Sequence, residues 1–406
     1  MPELLGEKLV VGDLTAVGMT CGIGSMLLGA RQAGFRILGN IEWRKYYHAV
    51  DSEGRNTFKE NFPGAFMIKK MEDLPVRLSG VDLVMGHPEC GNFSILQTTT
   101  NKVEDPGDIP LFLEAVAKIS PRFFLMDDLP KSFISYPLSK YAELLPEYDL
   151  FPEWVSNFNY GCIQKARNRL FVAGALKSER FAFSPGEEVN LETVEKLLSN
   201  IPEGTPNHWE HTTNMGCCRA RSLGDPQYKP TWGEVKDRFL NELLPGQSFP
   251  YKTISGEIYA RIGFLKTHWK KPSHVLTGGN AIIHPITGLP LSIRERARMQ
   301  GFPDDFIFYG GKLEVDGKWE HHKNQHLVKQ TGKAMPIQFN RYFSQQVRAH
   351  IKGQLFESSG TRLIKPNVHV DTAKSWFCSE IGYADQRKNC EACWMKRECN
   401  LPRRQI

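Results

Sequence analysis

One cysteine stands in a loop where a thiol can act as a nucleophile. Cys90 lies in the segment GHPECGNFS, residues 86–94, which follows a short apolar run at residues 81–85. A cysteine in a glycine- and proline-containing loop at the end of a strand can be exposed and activated. Most lone cysteines are instead buried and inert. Cys90 is therefore a candidate nucleophile, with a structural thiol as the alternative.

Two adjacent acids could supply the matching proton chemistry. Asp127 and Asp128 follow the apolar run at residues 122–126. Carboxylates placed directly after a buried strand are costly unless they are solvated or functional, and a cap for a following helix is the alternative. As a like charge, Asp128 is expected to help keep one proton on the pair.

A glycine turn and a later acid predict a nucleotide site. The turn joins a strand to a helix, where glycines let the backbone approach a ligand and helix N–H groups can meet it. The acid ends the next strand, where it could hold ribose hydroxyls while an aromatic ring flanks an adenine. An ordinary tight turn and a surface acid are the alternatives. The residues concerned are Cys21, Gly22, Ile23 and Gly24 in the turn and Glu42 and Trp43 after the next strand.

The end of the chain carries four cysteines with a metal-ligand spacing. They are Cys378, Cys390, Cys393 and Cys399. Four thiolates suit tetrahedral zinc or a [4Fe-4S] cluster, and the C-x2-C-x5-C spacing resembles the iron–sulfur segment of WhiB-like regulators. We expect a metal site here, iron–sulfur ahead of zinc, with a basic solvated tail as the alternative.

The elements that must position these residues alternate between strands and helices. This alternation predicts an α/β fold with a doubly wound sheet, whose ligands bind at the carboxyl ends of the strands. We predict strands at residues 9–19, 37–41, 81–85, 122–126 and 169–173, and helices at 25–33, 111–119, 291–300 and 336–351.

The composition changes along the chain and predicts several units. The stretch from 179 to 271 has weaker periodicity and more proline, glycine and tryptophan than its flanks. We expect it to be a small separate domain inserted into a larger one. The predicted division is 1–178 and 272–355 for the main domain, 179–271 for the inserted domain, and 356–406 for a linker and the cysteine tail.

The charge, the hydropathy and the cysteine content argue against a membrane protein and against a secreted one. The 406 residues carry a formal net charge of +6, which permits a polyanionic partner without requiring one. No apolar run approaches the ~20 residues that span a bilayer, and the start of the chain lacks a signal-peptide pattern. Nine cysteines without a secretion signal argue against a disulfide framework. We therefore expect a cytoplasmic protein of a bacterium or a phage-infected host.

Taken in order, these blocks resemble the DNA cytosine-5 methyltransferases from residue 9 to residue 351. Residues 292–305, SIRERARMQGFPDD, are similar to the ninth motif of that family, and residues 332–336 are similar to its tenth. Cys90 falls where the family has Pro-Pro-Cys, and Asp127 falls where it has Glu-Asn-Val. Arg167 and Arg169 match its Gln-x-Arg-x-Arg strand.

The resemblance implies transfer of a methyl group from S-adenosylmethionine to carbon 5 of cytosine in double-stranded DNA. It implies a Rossmann-like methyltransferase sheet, with residues 179–271 as the target-recognition domain. Cys90 would add to carbon 6 of a flipped-out base, Asp127 would stabilise charge at ring nitrogen 3, and both arginines would lie near the base carbonyl or a phosphate. We expect a monomer with no membrane partner. The cofactor-binding residues would be Cys21, Gly22, Ile23, Gly24, Glu42, Trp43, Asp73 and Lys333.

Two departures from the family pattern leave the product open. Glu89 replaces the second proline, and a carboxylate there disfavours the Cys90 thiolate. Lys333 replaces an asparagine near the methionine end of the cofactor, where a cation would suit a donor bearing a carboxylate, such as carboxy-S-adenosylmethionine. Carboxymethyl transfer is thus one alternative. Lys333 could instead point to solvent or pair with Glu89 or Asp127, and a catalytically degenerate DNA-binding protein is a further alternative.

Overall fold

The structure is a computed structural model that describes most of the chain between residues 13 and 354. The described residues are 13–73, 78, 80–89, 107–129, 132, 136–156, 160, 164, 168–179, 192–207, 244–252, 258–278, 281–288, 290–315, 318–321 and 323–354. Every structural statement below concerns these residues.

A seven-stranded sheet forms the centre of the described chain. Its order is β3-β2-β1-β4-β5-β7-β6, and β7 alone runs antiparallel to its neighbours. The doubly wound, Rossmann-like α/β fold predicted from the sequence is confirmed. The strands are β1 Thr15–Met19, β2 Arg36–Ile41, β3 Phe66–Ile68, β4 Leu83–Gly86, β5 Phe123–Asp128, β6 Tyr148–Ser156 and β7 Asn168–Leu176.

Helices cover both faces of this sheet, and two small sheets lie outside it. No described helix is both long and apolar enough to cross a membrane. The described helices are α1 Ser25–Gln32, α2 Thr57–Asn61, α3 Ile109–Ile119, α4 Leu138–Leu144, α5 Val194–Leu198, α6 Ile293–Met299, α7 Lys323–Lys333 and α8 Ile337–Ile351. The small sheets contain β8 Ser248–Lys252, β9 Ile258–Lys266 and β10 Ala281–Ile283 in one, and β11 Lys312–Val315 with β12 Lys318–His321 in the other.

The predicted domain division stays a prediction. Its boundary at residue 271 falls between β9 and β10, which pair in parallel within one small sheet.

Alternation along the strands builds two separate cores. Successive side chains of a strand point to opposite faces of a sheet. In β5, Phe123 and Leu125 join the core beneath α1 and α8, which we call the α8 face. Phe124 and Met126 join the core beneath α3 and α4, which we call the α3 face. A residue's parity in its strand therefore decides which face it reaches.

The last described helix closes over the first one. A Cβ added at Gly29 of α1 would lie 2.6 Å from the backbone nitrogen of Arg341 in α8, so only glycine permits this approach. The backbone nitrogen of Met335 also donates to Ser25 Oγ at 3.1 Å. The helix that follows the glycine turn is thus fixed by residues more than 300 positions later in the chain.

Candidate active site

The candidate site lies where the strand order of the central sheet reverses. Ligands of doubly wound sheets bind in the crevice at such a point, beyond the carboxyl ends of the strands. Here Met19 of β1, Gly86 of β4 and a β5 residue, Met126, form one row across the sheet. The backbone nitrogen of His87 donates to Met19 O at 3.3 Å and extends this pairing by one residue. The next row along therefore contains His87 and Asp127.

Three polar residues reach the α8 face at this edge. His87 follows β4, Asp127 belongs to β5, and Arg169 belongs to β7, which pairs with β5. By the alternation of strands, each lies on the face of the core residue two positions away. Those core residues are Met85, Leu125 and Phe171, all of which belong to the α8-face core.

A buried histidine and a buried carboxylate share a hydrogen bond here. His87 Nδ1 lies 2.7 Å from Asp127 Oδ2, and both side chains are almost fully buried. Asp127 Oδ1 accepts no hydrogen bond from the described residues, and Arg169 Nε is 3.9 Å away from it. A buried carboxylate oxygen without a donor is costly in a folded protein, so this atom marks a place for a ligand. His87 was not predicted as a site residue, although it directly precedes Pro88 in the loop that contains the candidate nucleophile.

The expectation that Asp128 shares a proton with Asp127 is wrong. Asp128 is the next residue of the same strand and therefore points to the α3 face. Its Oδ1 accepts from the backbone nitrogen of Leu129 at 2.5 Å. It also lies near Tyr141, whose pKa is raised by burial and by the charge of Asp128. The partner of Asp127 is a histidine on a neighbouring strand end.

The glycine turn adopts the backbone conformation that glycine favours. Gly22 and Gly24 have φ values of 61° and 91°, and a Cβ on Gly24 would lie 2.5 Å from the Phe62 ring. Helix α1 starts after Gly24 without a side-chain cap, so its first turn can receive a ligand. Ile23 is buried. Burial raises the pKa of the Cys21 thiol, and Cys21 therefore contributes backbone rather than reactive sulfur.

Glu42 is fully engaged by neighbouring donors. Its carboxylate accepts from Gly22 N at 2.7 Å and from Arg44 through N at 3.0 Å, Nε at 2.7 Å and Nη2 at 2.8 Å. These four bonds match the four lone-pair sites of a carboxylate. A ribose hydroxyl that bound Glu42 would have to replace one of them. Trp43 is half-buried beside it, and Asp73 is exposed in a short 3-10 turn.

Lys333 and Glu89, two departures from the family pattern, form an ion pair. Lys333 Nζ lies 3.0 Å from both carboxylate oxygens of Glu89, and Arg44 Nη1 lies 4.0 Å from one of them. Burial alone would raise the pKa of Glu89, but the charges of Lys333 and Arg44 lower it below its ordinary value. The close approach of α7 sets this geometry, since a Cβ on Gly332 would lie 2.0 Å from Thr277 O.

A second lysine accompanies this pair. Lys333 Nζ and Lys329 Nζ lie 5.2 Å and 5.4 Å from the centre of the Tyr46 ring. Burial and the charge of Lys333 lower the pKa of Lys329. One turn of α7 thus places two cations close to the same aromatic ring.

Several predicted site residues lie outside the described residues. They are Cys90, Arg167 and the tail residues Cys378, Cys390, Cys393 and Cys399. Among the residues that are described, no three histidine, cysteine or acidic side chains form a group able to hold a metal ion. The nucleophile and tail assignments therefore stay predictions.

The sheet and its crevice define the chain as a Rossmann-like α/β protein. Its family follows from comparison: the model of the C-5 cytosine-specific DNA methylases matches residues 14–348, and the chain belongs to this family. It is a DNA cytosine methyltransferase by that membership.

Two similar relatives are bacterial or archaeal type II methyltransferases. M1.HphI of Haemophilus parahaemolyticus is 24% identical over 329 residues, which cover 74% of this chain and 81% of that protein. M.MthTI of Methanothermobacter thermautotrophicus is 23% identical over 347 residues, which cover 82% and 97%.

Solved structures share the fold at low sequence identity. A protein assigned as a DNA modification methyltransferase, encoded within a prophage of E. coli, matches with a TM-score of 0.60 at 19% identity. That match covers 84% of this chain and all of the other. A mutant of Spodoptera frugiperda DNMT2 matches with a TM-score of 0.51 at 10% identity, covering 83% and 100%.

Proposed function

We propose that this chain transfers a methyl group from S-adenosylmethionine to carbon 5 of cytosine in duplex DNA, through a covalent bond between Cys90 and the base. The observation that carries the proposal is the buried Asp127, which lies at the same sheet edge as the glycine turn and whose Oδ1 lacks a donor among the described residues. An acid in that position can meet a pyrimidine ring nitrogen. Family membership supplies the reaction class.

The chemistry requires a nucleophile and a proton. The Cys90 thiolate bonds to carbon 6, the electron pair of the 5,6 double bond moves to the 4,5 position, and ring nitrogen 3 takes a proton from Asp127. Carbon 5 then carries enamine character and would form a bond to the methyl carbon as the bond between that carbon and the sulfonium sulfur breaks, which would leave a neutral thioether. After transfer, carbon 5 loses its proton to solvent, the sulfur–carbon 6 bond breaks, and nitrogen 3 returns its proton. No oxidant or reductant is needed.

The residues at the glycine turn fit a nucleoside donor. An uncapped helix start beyond two left-handed glycines and the half-buried Trp43 offer backbone N–H groups and a flat apolar surface. S-adenosylmethionine supplies an electrophilic methyl carbon bonded to a sulfonium sulfur. Glu42 would hold the ribose by exchanging a hydrogen bond with Arg44, and Asp73 is assigned to the adenine end.

The predicted domain division indicates which residues would contact DNA. The target carbon is hidden in a stacked duplex, so the base must be rotated out of the helix. We assign recognition of the flanking bases to residues 179–271, and a contact with the base carbonyl or a phosphate to Arg167 and Arg169. Arg169 already lies on the same face as Asp127, 3.9 Å from its Oδ1.

Nucleoside mass spectrometry tests the proposal. DNA from cells expressing the chain should contain 5-methylcytosine, and DNA from cells expressing Cys90→Ser should contain none above background. Asp149→Asn, at an exposed acid of β6 far from the proposed nucleophile in the chain, is the control and should leave modification unchanged. Unchanged modification by Cys90→Ser would refute the mechanism. Unmodified DNA with the wild-type chain would favour a DNA-binding protein without catalysis.

Carboxymethyl transfer from carboxy-S-adenosylmethionine is the second candidate. The observation that favours it is the pair of lysines over Tyr46, because Glu89 neutralises only one of them. A donor carboxylate would take the remaining charge. We favour methyl transfer over carboxymethyl transfer because Lys333 is already paired with Glu89. The positive sulfonium of the donor would therefore not lie beside an unpaired cation at position 333.

A Glu89→Gln variant separates the two donors. It removes the partner of Lys333 and leaves its charge facing the donor. Binding of S-adenosylmethionine should weaken by about tenfold through like-charge repulsion, whereas carboxy-S-adenosylmethionine should bind more tightly. Calorimetric titration with both donors measures this. If 5-methylcytosine is the sole product in cells that make both donors, the carboxymethyl candidate is rejected.

The cysteine tail is proposed as a metal site independent of catalysis. Cys378, Cys390, Cys393 and Cys399 could bind a [4Fe-4S] cluster or zinc. Purified protein should show the brown colour and visible absorption of a cluster. Colourless protein with one zinc per chain would reject the cluster, and metal-free protein with four reactive thiols would reject the site.

A further inference from the structure

Four charged side chains form a row that joins the glycine-turn end of the candidate site to the residue before Cys90. Lys333 Nζ lies 3.0 Å from Glu89, and Arg44 Nη1 lies 4.0 Å from Glu89 Oε2. On its other side, Arg44 Nε lies 2.7 Å from Glu42 Oε1. The Arg44 side chain is only 8% exposed and lies between two carboxylates, so its guanidinium can pair with either of them.

The hydrogen bonds that hold Glu42 differ in how easily a ligand can replace them. Gly22 N and Arg44 N are backbone donors, whose positions are fixed by the fold. The guanidinium of Arg44 supplies the other two donors, Nε at 2.7 Å and Nη2 at 2.8 Å. A carboxylate has about four acceptor sites, and these donors fill them. Unless the backbone moves, a ribose hydroxyl can bind Glu42 only where the guanidinium leaves it.

Glu89 offers the displaced guanidinium a second carboxylate. A movement of about 1 Å would bring Arg44 Nη1 from 4.0 Å to hydrogen-bond distance from Glu89 Oε2. Glu89 is itself held in place, because its backbone nitrogen donates to Asp108 Oδ2 at 3.2 Å and Lys333 contacts both carboxylate oxygens. Burial opposes its ionisation, but the charges of Lys333 and Arg44 lower its pKa. Glu89 is therefore an anion with room for a second cation.

We propose that Arg44 is a positioning residue that pairs with Glu42 in the free enzyme and with Glu89 once the donor is bound. This inference rests on the proposed function. The ribose hydroxyls take the place of the guanidinium on Glu42, and Arg44 Nη1 closes the gap to Glu89. Donor binding thereby places a second cation on the residue before Cys90, so the backbone at the nucleophile is held more firmly when the donor is present. Only hydrogen bonds and ion pairs change.

This exchange has opposite effects on donor binding and on turnover. Part of the interaction with the donor is used to move the guanidinium, which weakens the observed affinity, and the new pair with Glu89 raises the rate of the chemical step. Removing the guanidinium should therefore lower the KM for the donor and lower kcat together. A residue that only supported the fold of the pocket would instead weaken binding when it is replaced.

Arg44→Met tests the exchange, because methionine keeps most of the length of the side chain without its donors. The probe for calorimetric titration is S-adenosylhomocysteine, whose sulfur is uncharged and is not repelled by Lys333. Arg44→Met should bind it about tenfold more tightly than the wild-type chain. The kcat for methyl transfer to a DNA duplex should fall by about tenfold. Weaker binding of the probe would overturn the proposal, and so would a kcat equal to that of the wild type.

Glu89→Gln identifies the carboxylate that receives the guanidinium. In the wild-type background it should weaken binding of S-adenosylhomocysteine by about threefold more than it does in the Arg44→Met background. The unpaired charge of Lys333 is present in both backgrounds, so its effect cancels in this comparison. Equal effects in the two backgrounds would show that Arg44 does not move to Glu89 and would overturn the proposal.

Arg55→Met is the matched control. Arg55 also pairs with a carboxylate, Asp51 at 2.6 Å. Its guanidinium lies 4.8 Å from the centre of the Tyr309 ring, the same distance as that from Arg44 to the Tyr47 ring. Arg55 is 42% exposed and lies outside the row of charges, so its replacement should change neither the affinity for the probe nor kcat.

A second variant at position 44 separates the proposal from a failure to fold. If Arg44→Met does not fold, Arg44→Lys gives the same test, because one ammonium cannot hold both oxygens of Glu42 as a guanidinium does. It should bind S-adenosylhomocysteine about threefold more tightly, and unchanged or weaker binding would overturn the proposal. A wild-type chain that binds no S-adenosylhomocysteine and forms no 5-methylcytosine would instead refute the proposed function.

Discussion

Buried charge is handled in opposite ways in two regions of this molecule. In α6, Arg294 donates to the carbonyl oxygens of Pro206, Pro303 and Phe306 at 2.6–2.9 Å, so every arm of its guanidinium has a partner. At the sheet edge, one oxygen of Asp127 has no donor in the part of the chain that the structure describes. The first region matches the family motif most closely, and the second departs from it. The fully hydrogen-bonded guanidinium of Arg294 is typical of a residue that holds the fold together. The carboxylate oxygen of Asp127 that lacks a donor is typical of a residue that binds a ligand.

Replacing the acid should give the largest effect. Asp127→Asn has nearly the same volume but cannot transfer a proton to nitrogen 3, and we expect methyl transfer to fall about a thousandfold. Single-turnover transfer to a DNA duplex measures it. Asp149→Asn, an exposed acid on β6, is the control and should act as wild type. If Asp127→Asn lowers the rate of methyl transfer by less than tenfold, the view that Asp127 serves catalysis while Arg294 serves the fold is wrong.

Removing the scaffold arginine should act on stability instead. Arg294→Met leaves three carbonyl oxygens without their donor, at a cost of about 3 kcal/mol in the free energy of unfolding. The midpoint of thermal unfolding should drop by about 3–4 °C, while the rate per folded molecule stays the same. Arg341→Met, an exposed arginine of α8, serves as control. Lost activity without lost stability would show that α6 belongs to the site.

The Glu89–Lys333 pair should give the smallest effect, and its sign follows from the lowered pKa of Glu89. The stabilisation is complete above the unfolded value near about 4.3 and is lost as pH falls through the lower folded pKa. Between about pH 5 and about pH 3 the wild-type chain should lose up to about 1 kcal/mol more than Glu89→Gln. Denaturant titrations across this range test it, with Glu143→Gln as the exposed control. Equal losses would show that the pair does not stabilise the fold.

The sequence predicted the interior of the sheet better than its edge. The apolar runs of β1, β2, β4, β5 and β7 are evident because both faces of those strands are covered. Strand β6 was missed, since Tyr148–Ser156 contains Pro152 and the exposed Asp149. A proline is tolerated there because β6 is the last strand of the sheet. Helix α7 was also missed, because its sequence KNQHLVKQTGK is mostly polar.

The residue types in the sequence identified the candidate site, but the folded chain is needed to show which of its side chains contact each other. Glu89 and Lys333 are 244 positions apart, and their pairing was one of several alternatives. His87 was not predicted as a site residue, because its contact with Asp127 depends on the register of β4 against β5. Parity within the strand would have separated Asp127 from Asp128 from the sequence alone.

The contact between Gly29 and Arg341 has a consequence for how the protein is made. A growing chain released from the ribosome before α8 has emerged lacks the surface against which α1 rests. The glycine turn ahead of α1 then has no fixed support, because long-range contacts form only when both segments exist. Translation must therefore run nearly to residue 351 before the glycine turn and α1 can take their final positions. Chains truncated before α8 should not bind the methyl donor.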